Sequence, residues 1–384
     1  MTADAVQTLR VGEQPTSPRK ALRLGFNTRV SFNSGPGGAE RGLRDGIALF
    51  KAAERLGYQS GWAYQRHFDN YLSSPLPFFA AAGQHTERIT LGSAVIPMRY
   101  QDPILLAEGA GTTDLLIGGR LNLALSSGRA GFEAIFGHDK VDARAEGQRR
   151  LARFLQGIEG QTLHVVDDSD QAHIELGTEL KVTPHSEGLR GRIWYGSGHI
   201  ASAEGAAAQR LRLITGTILH SVEPDLTFGE YQARLIAAYR AAWPGPEDAP
   251  PVAVAASVLP ATTPELAEKY AAYDFQRQTE GPSASKPEGA LNLTTRPSAL
   301  GGMLVSPVFR GDPDAVTEAI LARDCRGRRA RAVPAARLRP GGERPGTHRH
   351  GRDGRSGARL GAGAVTPPAG GHRFDSAGIA SSSA

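Results

Sequence analysis

Seven strand-like segments alternating with helical ones predict an α/β fold, either a (β/α)8 barrel or a doubly wound parallel sheet. The clearest stretch runs from Arg88 to Gly128. Apolar β-type residues (Ile89–Ile96) give way to a polar turn ending at Pro103. An apolar helical stretch follows over Ile104–Ile117, and Gly118-Gly119 stops it before a second strand opens at Leu121. Strand, helix, strand is a βαβ unit, which brings parallel strands and a right-handed crossover. The 384 residues suffice for one large α/β domain or two ordinary ones.

In chain order, residues 1–20 read as a disordered lead-in to a domain over residues 21–323. Leu22–Phe26 alternates as a short strand, and Gly35, Gly37 and Gly38 put Asn27–Gly42 in a loop. Ile47, Leu49, Phe50, Ala53 and Leu56 lie near helical spacing, so Leu43–Leu56 is a helix, stopped by Gly57. Ser60–Tyr64 is the second strand, followed by the loop Gln65–Tyr71 and a helix over Pro75–Thr86. Beyond Gly128 come a loop holding Phe132–Gly137, an amphipathic helix over Arg144–Ile158 and a β-hairpin excursion over His164–Val182. Arg192–Tyr195 is a strand, with the turn Gly196-Ser197-Gly198 and a helix from Ser202 to Arg210 after it. Strands at Leu211–Gly216 and Val252–Leu259 alternate with helices at Phe228–Trp243 and Thr263–Tyr273, the last opened by Thr-Pro. Residues 278–300 are loop, and Asp312–Arg323 is the final helix. An eighth strand is expected after Arg323 and none is written there. The eighth βα unit is therefore expected to be missing or replaced by a disordered tail, and a missing unit would leave the first and seventh strands with open edges.

Composition narrows the function. Apolar residues make up 40% and charged residues 22% of the chain, ordinary for a soluble globular protein. No run of about 18 apolar residues offers a membrane span. The polar first twenty residues, with Asp4 and Glu13, do not form a secretory signal. The single cysteine, Cys325, allows neither an intrachain disulfide nor a cysteine metal cluster. A cytoplasmic enzyme is the expectation. The net charge of +5 is unevenly spread: Arg323–Ala384 holds 13 Arg against 4 acidic residues, so residues 1–322 are left at −4. The basic pI belongs to the tail and gives no ground for nucleic-acid binding by the body.

That tail, residues 324–384, is rich in Arg, Gly, Ala and Pro and has no periodic apolar run. It reads either as a disordered basic extension or as the product of a shifted reading frame in a GC-rich gene.

Some positions point to chemistry on residue type alone. His67 follows the second strand, and an imidazole with an ordinary pKa of ~6.5 suits proton transfer; it reads equally as a loop residue orienting the next helix. Asn122 sits in an otherwise apolar strand, where a buried amide needs partners, whether a ligand edge or a hydrogen bond inside the fold. The turn Gly196-Ser197-Gly198, with Ser202 at a helix start, is either an anion site or an ordinary turn with an N-cap serine. The histidines lack ligand spacing, so no metal is expected, and neither a G-x-S-x-G elbow nor a G-x-x-x-x-G-K-[ST] loop occurs.

Six motifs in order then carry a resemblance. A-A-E-R-L-G-Y-Q-S-G-W-A-Y-Q-R-H-F (Ala52–Phe68), L-G-S-A-V-I-P-M-R-Y-Q-D-P-I-L-L-A-E (Leu91–Glu108) and G-G-R-L-N-L-A-L-S-S-G (Gly118–Gly128) are three of them. Phe136-Gly137, R-I-W-Y-G-S-G (Arg192–Gly198) and G-D-P-D-A-V (Gly311–Val316) complete the set. Together they resemble the bacterial luciferase-like flavin monooxygenases from Leu22 to Arg323. The resemblance implies a TIM-like (β/α)8 barrel, with chemistry on the loops after the strand C-termini. It implies catalytic roles for His67 and for Arg66, which stands where the family has the first residue of a His-His pair. It implies flavin contact at Ala94 and Val95, through a non-proline cis peptide under the ring, and at Asn122, Ser126 and Gly128. It places the flavin phosphate at Gly196, Ser197, Gly198 and Ser202. Luciferase itself has a reactive cysteine where Ser126 stands, so no thiol role carries over.

The activity so implied uses reduced FMN, delivered by a separate flavin reductase, and O2 to oxidise a small organic substrate through a flavin peroxide. A homodimer or heterodimer is the expected assembly, with no nucleic-acid or membrane partner. Two alternatives stay open: a deazaflavin-dependent hydride-transfer oxidoreductase of the same superfamily, and a degenerate, non-catalytic flavin-binding barrel.

Overall fold

The computed structural model describes residues 23–33, 35–128, 131–138, 142–170, 173–221, 226–245, 250, 252–280 and 303–322. The elements, in order, are β1 (Gly25–Thr28), α1 (Gly38–Arg55), β2 (Ser60–Ala63), α2 (Pro75–Gly83), β3 (Thr90–Pro97), α3 (Pro103–Leu116) and β4 (Leu121–Ser126). There follow α4 (Ala143–Ile158), β5 (His164–Val165), β6 (Glu179–Leu180), β7 (Ile193–Gly196), α5 (Ile200–Ala208), β8 (Arg212–Thr215), β9 (Ile218–His220) and α6 (Phe228–Ala241). The last are β10 (Ala253–Val254), β11 (Ser257–Pro260), α7 (Pro264–Glu280), β12 (Met303–Val305), β13 (Val308–Gly311) and α8 (Pro313–Ala322).

Seven strands form one sheet in the order β1-β2-β3-β4-β7-β8-β10, and each neighbouring pair is parallel. This is the α/β architecture expected from the alternating pattern. Side chains divide by strand parity. Leu91, Leu121, Leu123, Leu125, Ile193 and Leu213 point to the helices and share a core with Phe79, Phe154 and Leu235. Trp62, Ala94, Ala124, Trp194 and Ile214 meet one another on the other face. Trp62 of β2 and Trp194 of β7 touch edge to face at 5.4 Å between centroids, although three strand spacings, ~14 Å in a flat sheet, separate their strands. The sheet is therefore curled, with the two indoles filling its concave side.

The N-terminal ends of the strands are tied by buried charge. Asp114 of α3 is wholly buried; its carboxylate accepts from Arg192 at 2.7 and 2.8 Å, from Ser186 at 2.5 Å and from the Leu121 N–H at 3.0 Å. Arg120 donates to the carbonyls of Gly83, Thr86, Ile89 and Ile117, which closes the C-terminal end of α2.

Several boundaries differ from expectation, each for a local reason. α1 begins at Gly38, not Leu43, because Gly37 takes a left-handed N-cap (φ 69°), and Gly38 and Gly42 enter the helix instead of a loop. Val252–Leu259 is two strands: β10 pairs with β8 and β11 with β13. The intervening Ala255-Ala256 is poor strand sequence, and the chain changes partner there. α5 begins at Ile200, so Ser202 lies inside the first turn and His199 is the N-cap. The hairpin excursion appears as β5 against β6. β9, β12 and β13 were not anticipated; Pro307 breaks the run Met303–Gly311 into two strands that pair with β9 and β11. β13 leads directly into α8, so a strand–helix unit precedes Arg323. The expected lead-in over residues 1–20, nearly all of the loop over 278–300 and the tail from 324 lie outside the described residues.

Candidate active site

The C-terminal end of β3 is shaped by its own side chains. Ser93, wholly buried, accepts the Ala124 N–H at 3.1 Å and donates to the Ala124 carbonyl at 3.0 Å. Its hydroxyl thus supplies part of the link to β4 just before the pairing shifts register between Ala94 and Ile96. The Ala94–Val95 peptide is cis, at the position the resemblance indicated. Val95 rests against β7: a Cβ on Gly196 would stand 2.5 Å from Val95 Cγ1. Val95 and Gly196, far apart in sequence, are thus in contact.

Gly128 has φ 84°, and a Cβ there would lie 2.9 Å from Pro97 and 3.1 Å from Arg99. Ser126 closes β4 opposite Pro97. Asn122, 6% exposed, accepts from the Trp194 indole N–H at 2.9 Å. Trp194 thus satisfies the amide oxygen from inside the fold.

At the end of β7, Ser197 Oγ donates to the His199 carbonyl at 2.8 Å and accepts the His199 N–H at 3.3 Å. The Gly198 carbonyl accepts from His220 N–H at 2.9 Å, and the rings of His199 and His220 stack at 4.8 Å. Burial, and then the Arg144 guanidinium, hold His199 below the ordinary imidazole range. Ser202 donates its backbone N–H to the His199 carbonyl at 3.2 Å.

The loop after β2 carries the other candidates. Arg66 Nε lies 3.2 Å from the buried carboxylate of Asp69, an ion pair that engages the guanidinium. His67 is half-buried among aromatic rings: Phe136 at 5.0 Å, Phe68 at 6.0 Å and Tyr100 at 6.1 Å. Burial pushes its pKa below the ordinary value. Tyr100 stacks on Phe136 at 5.0 Å and 25°. Gln65, His67, Ile96, Tyr100 and Phe136 form one side of a cavity of about 620 Å³, and residues of α2 and α3 form the other. Among the described residues, no Lys, Arg, Asp or Glu side chain lines it.

Three residues of the site went unrecognised in the sequence. Arg99, 2% exposed, pairs with Glu133 at 2.6 Å while its Nη1 is buried without a hydrogen-bond partner. Glu133 accepts the Gly131 N–H, and backbone donors together with Arg99 hold its carboxyl below the usual range. Gln65 Oε1 is likewise buried and unpaired. The available signal was a basic residue set between Met98 and Tyr100, directly after an apolar strand.

The profile of the luciferase-like monooxygenase family matches residues 23–331. The chain belongs to that family. Among its relatives, 4-hydroxyprotoasukamycin monooxygenase of Streptomyces nodosus subsp. asukaensis is 33% identical over 148 residues, 35% of this chain and 40% of that protein. Limonene 1,2-monooxygenase of Rhodococcus erythropolis is 26% identical over 175 residues, 42% of this chain and 45% of its own length. The luciferase-like chain thus spans less than half the length of these curated relatives. A solved structure of the oxygenating constituent of 3,6-diketocamphane monooxygenase from Pseudomonas putida, in complex with FMN, superposes with a TM-score of 0.55 at 17% identity. That superposition covers 79% of this chain and 88% of the other, and supports the fold. Relatives named as F420-dependent dehydrogenases match as well.

Proposed function

We propose that this chain is the oxygenase component of a flavin-dependent monooxygenase, oxidising a small, uncharged organic substrate with reduced FMN and O2. The observation that carries the reading is the cavity beside His67. In a chain of this family, it offers, among the described residues, one imidazole, two aromatic walls and no charged side chain. Such a lining desolvates an apolar substrate at little cost and repels an ionic one.

The residues present suit a flat cofactor ring. Ala94 and Val95 offer a small, apolar floor where the pairing of β3 with β4 shifts register, and Arg99 Nη1 and Gln65 Oε1 are buried polar atoms without hydrogen-bond partners. Reduced FMN, when bound, supplies the electrons that activate oxygen. Tyr100 and Phe136 give the cavity an aromatic wall. His67 provides a polar edge inside it. The turn Gly196-Ser197-Gly198, ahead of α5, takes the phosphate; because the Ser197 N–H is already given to the Ile214 carbonyl at 3.0 Å, the backbone donors are those of Gly198 and the first turn of α5, helped by the positive field of Arg144. Ser202 contributes from within the first helical turn. Arg66, held by Asp69, positions the His67 loop. A separate reductase supplies the reduced cofactor, and two copies of the chain assemble as a dimer. β13 and α8 provide the eighth βα unit of a TIM-like barrel.

The test is to mix the purified chain anaerobically with photoreduced FMN, admit O2 and follow a panel of uncharged cyclic ketones, terpenes and aldehydes by mass spectrometry. Saturable binding of reduced FMN and a product one oxygen atom heavier support the reading. Its failure would be reduced F420 binding with hydride transfer to a substrate and no oxygen uptake, the outcome that the F420-dependent relatives make the second reading.

A further inference from the structure

Gln65 lies between His67 and the segment leading into α2. Its side chain is 6% exposed, and its Nε2 donates to the Ser73 carbonyl at 2.7 Å. That bond decides which way round the amide sits, since a flipped amide would set Oε1 against another acceptor at the same distance. Nε2 keeps a second hydrogen, and it lies 3.4 Å from Nε2 of His67. An amide NH2 only donates. The ring nitrogen facing it must present a lone pair, and the proton of the neutral imidazole goes to Nδ1.

The charges around the ring are matched on each side. On its own loop Arg66 pairs with Asp69 at 3.2 Å. On the turn after β3 and the loop after β4, Arg99 pairs with Glu133 at 2.6 Å, with Tyr100 beside them. His138, stacked on Phe136, is 3.4 Å from Arg150. Burial alone sets the direction in which His67 is displaced, towards the neutral form.

We propose that Gln65 is a positioning residue that holds His67 as the neutral Nδ1–H tautomer, so that His67 offers the cavity a hydrogen-bond donor and not a base. Its Nε2 lone pair is engaged by Gln65, so the ring has no free site with which to take up a proton. A donor of this kind stabilises negative charge growing on an oxygen atom without itself losing the proton. The functional consequence rests on the cavity being the site of oxidation; the tautomer does not.

The experiment is long-range 1H–15N NMR of the full chain labelled at histidine, with the His67 signals assigned by their loss in His67→Phe. The wild type at neutral pH should show Nδ1 protonated and Nε2 bare. Gln65→Leu should convert this pattern to an exchanging mixture of tautomers. Gln65→Glu, which turns a carboxylate towards the ring, should protonate Nε2 and raise the His67 pKa by about one unit or more. An Nε2–H pattern in the wild type, or an Nδ1–H pattern unchanged in Gln65→Glu, overturns the proposal. Should Gln65→Leu fail to fold, the wild type and Gln65→Glu decide it. Product formation with reduced FMN adds a second readout: the wild type should be flat through the ordinary imidazole range and Gln65→Glu should titrate within it. A wild type that forms no product yet shows the Nδ1–H pattern refutes the monooxygenase reading and upholds the tautomer.

Discussion

Gly196 shows how much one missing methyl group decides. Its Cα lies where Val95 Cγ1 would be 2.5 Å from any Cβ, and a β-branched side chain has few rotamers into which to retreat. Gly196→Ala should therefore displace the Ala94–Val95 peptide, cost about 1–3 kcal/mol and weaken FMN binding, as read by urea unfolding and flavin fluorescence. His67 makes a prediction about pH. Because its pKa is lowered on folding, the unfolded chain binds more protons below ~6.5, so stability is complete above that value and falls as pH drops through it. His199, lowered by burial and Arg144, acts in the same direction. His67→Gln should flatten the slope of unfolding free energy against pH below ~6.5, and an unchanged slope would contradict the assignment. His67 was legible from its place after a strand. Gln65 was not, because its role depends on the Ser73 carbonyl eight residues away, which sequence spacing does not bring near.

At the scale of elements, the loops after β3 and β4 are joined by Arg99 and Glu133, and the same loops place Tyr100 and Phe136 against His67. Arg99→Leu leaves Glu133 without its counter-ion and should cost about 3 kcal/mol. It should also loosen the aromatic wall, visible as faster hydrogen exchange over residues 131–138. The parallel order of β1 to β4 was legible because helical stretches separate the strands, and β3 and β4 are compact apolar runs ended at Pro97 and Gly128. The region after α6 was less so. There Ala255-Ala256 and Pro307 cut strand sequence into pieces of two to four residues, too short for alternation to declare itself. Which partner each piece takes is decided by the sheet already present.

Over the whole molecule, the two ends of the strands do different work. Asp114, Arg192 and Arg120 lock the N-terminal ends, whereas the cis peptide and the loop holding His67 lie at the C-terminal ends, the division expected of a barrel. Asp114→Ala should cost about 3–5 kcal/mol, since it strands Arg192, and should leave the FMN affinity of the surviving folded protein unchanged by fluorescence titration. The proposed eighth unit, β13 with α8, makes a second demand. Removing residues 332–384 should leave the thermal unfolding temperature where it was, whereas ending the chain before Met303 should lower it sharply. Among the described residues no helix is long and apolar enough to cross a membrane, and the core is that of a folded domain with its apolar residues inside.

The chain has three tryptophans, and two of them, Trp62 and Trp194, stand edge to face on the concave side of the sheet, with Ala94 in the same cluster. The third, Trp243, lies against Tyr239. The protein consequently carries its own optical gauge. Excitation of the indole pair will report any flat, absorbing molecule that settles above it, by energy transfer, before a single product has been identified.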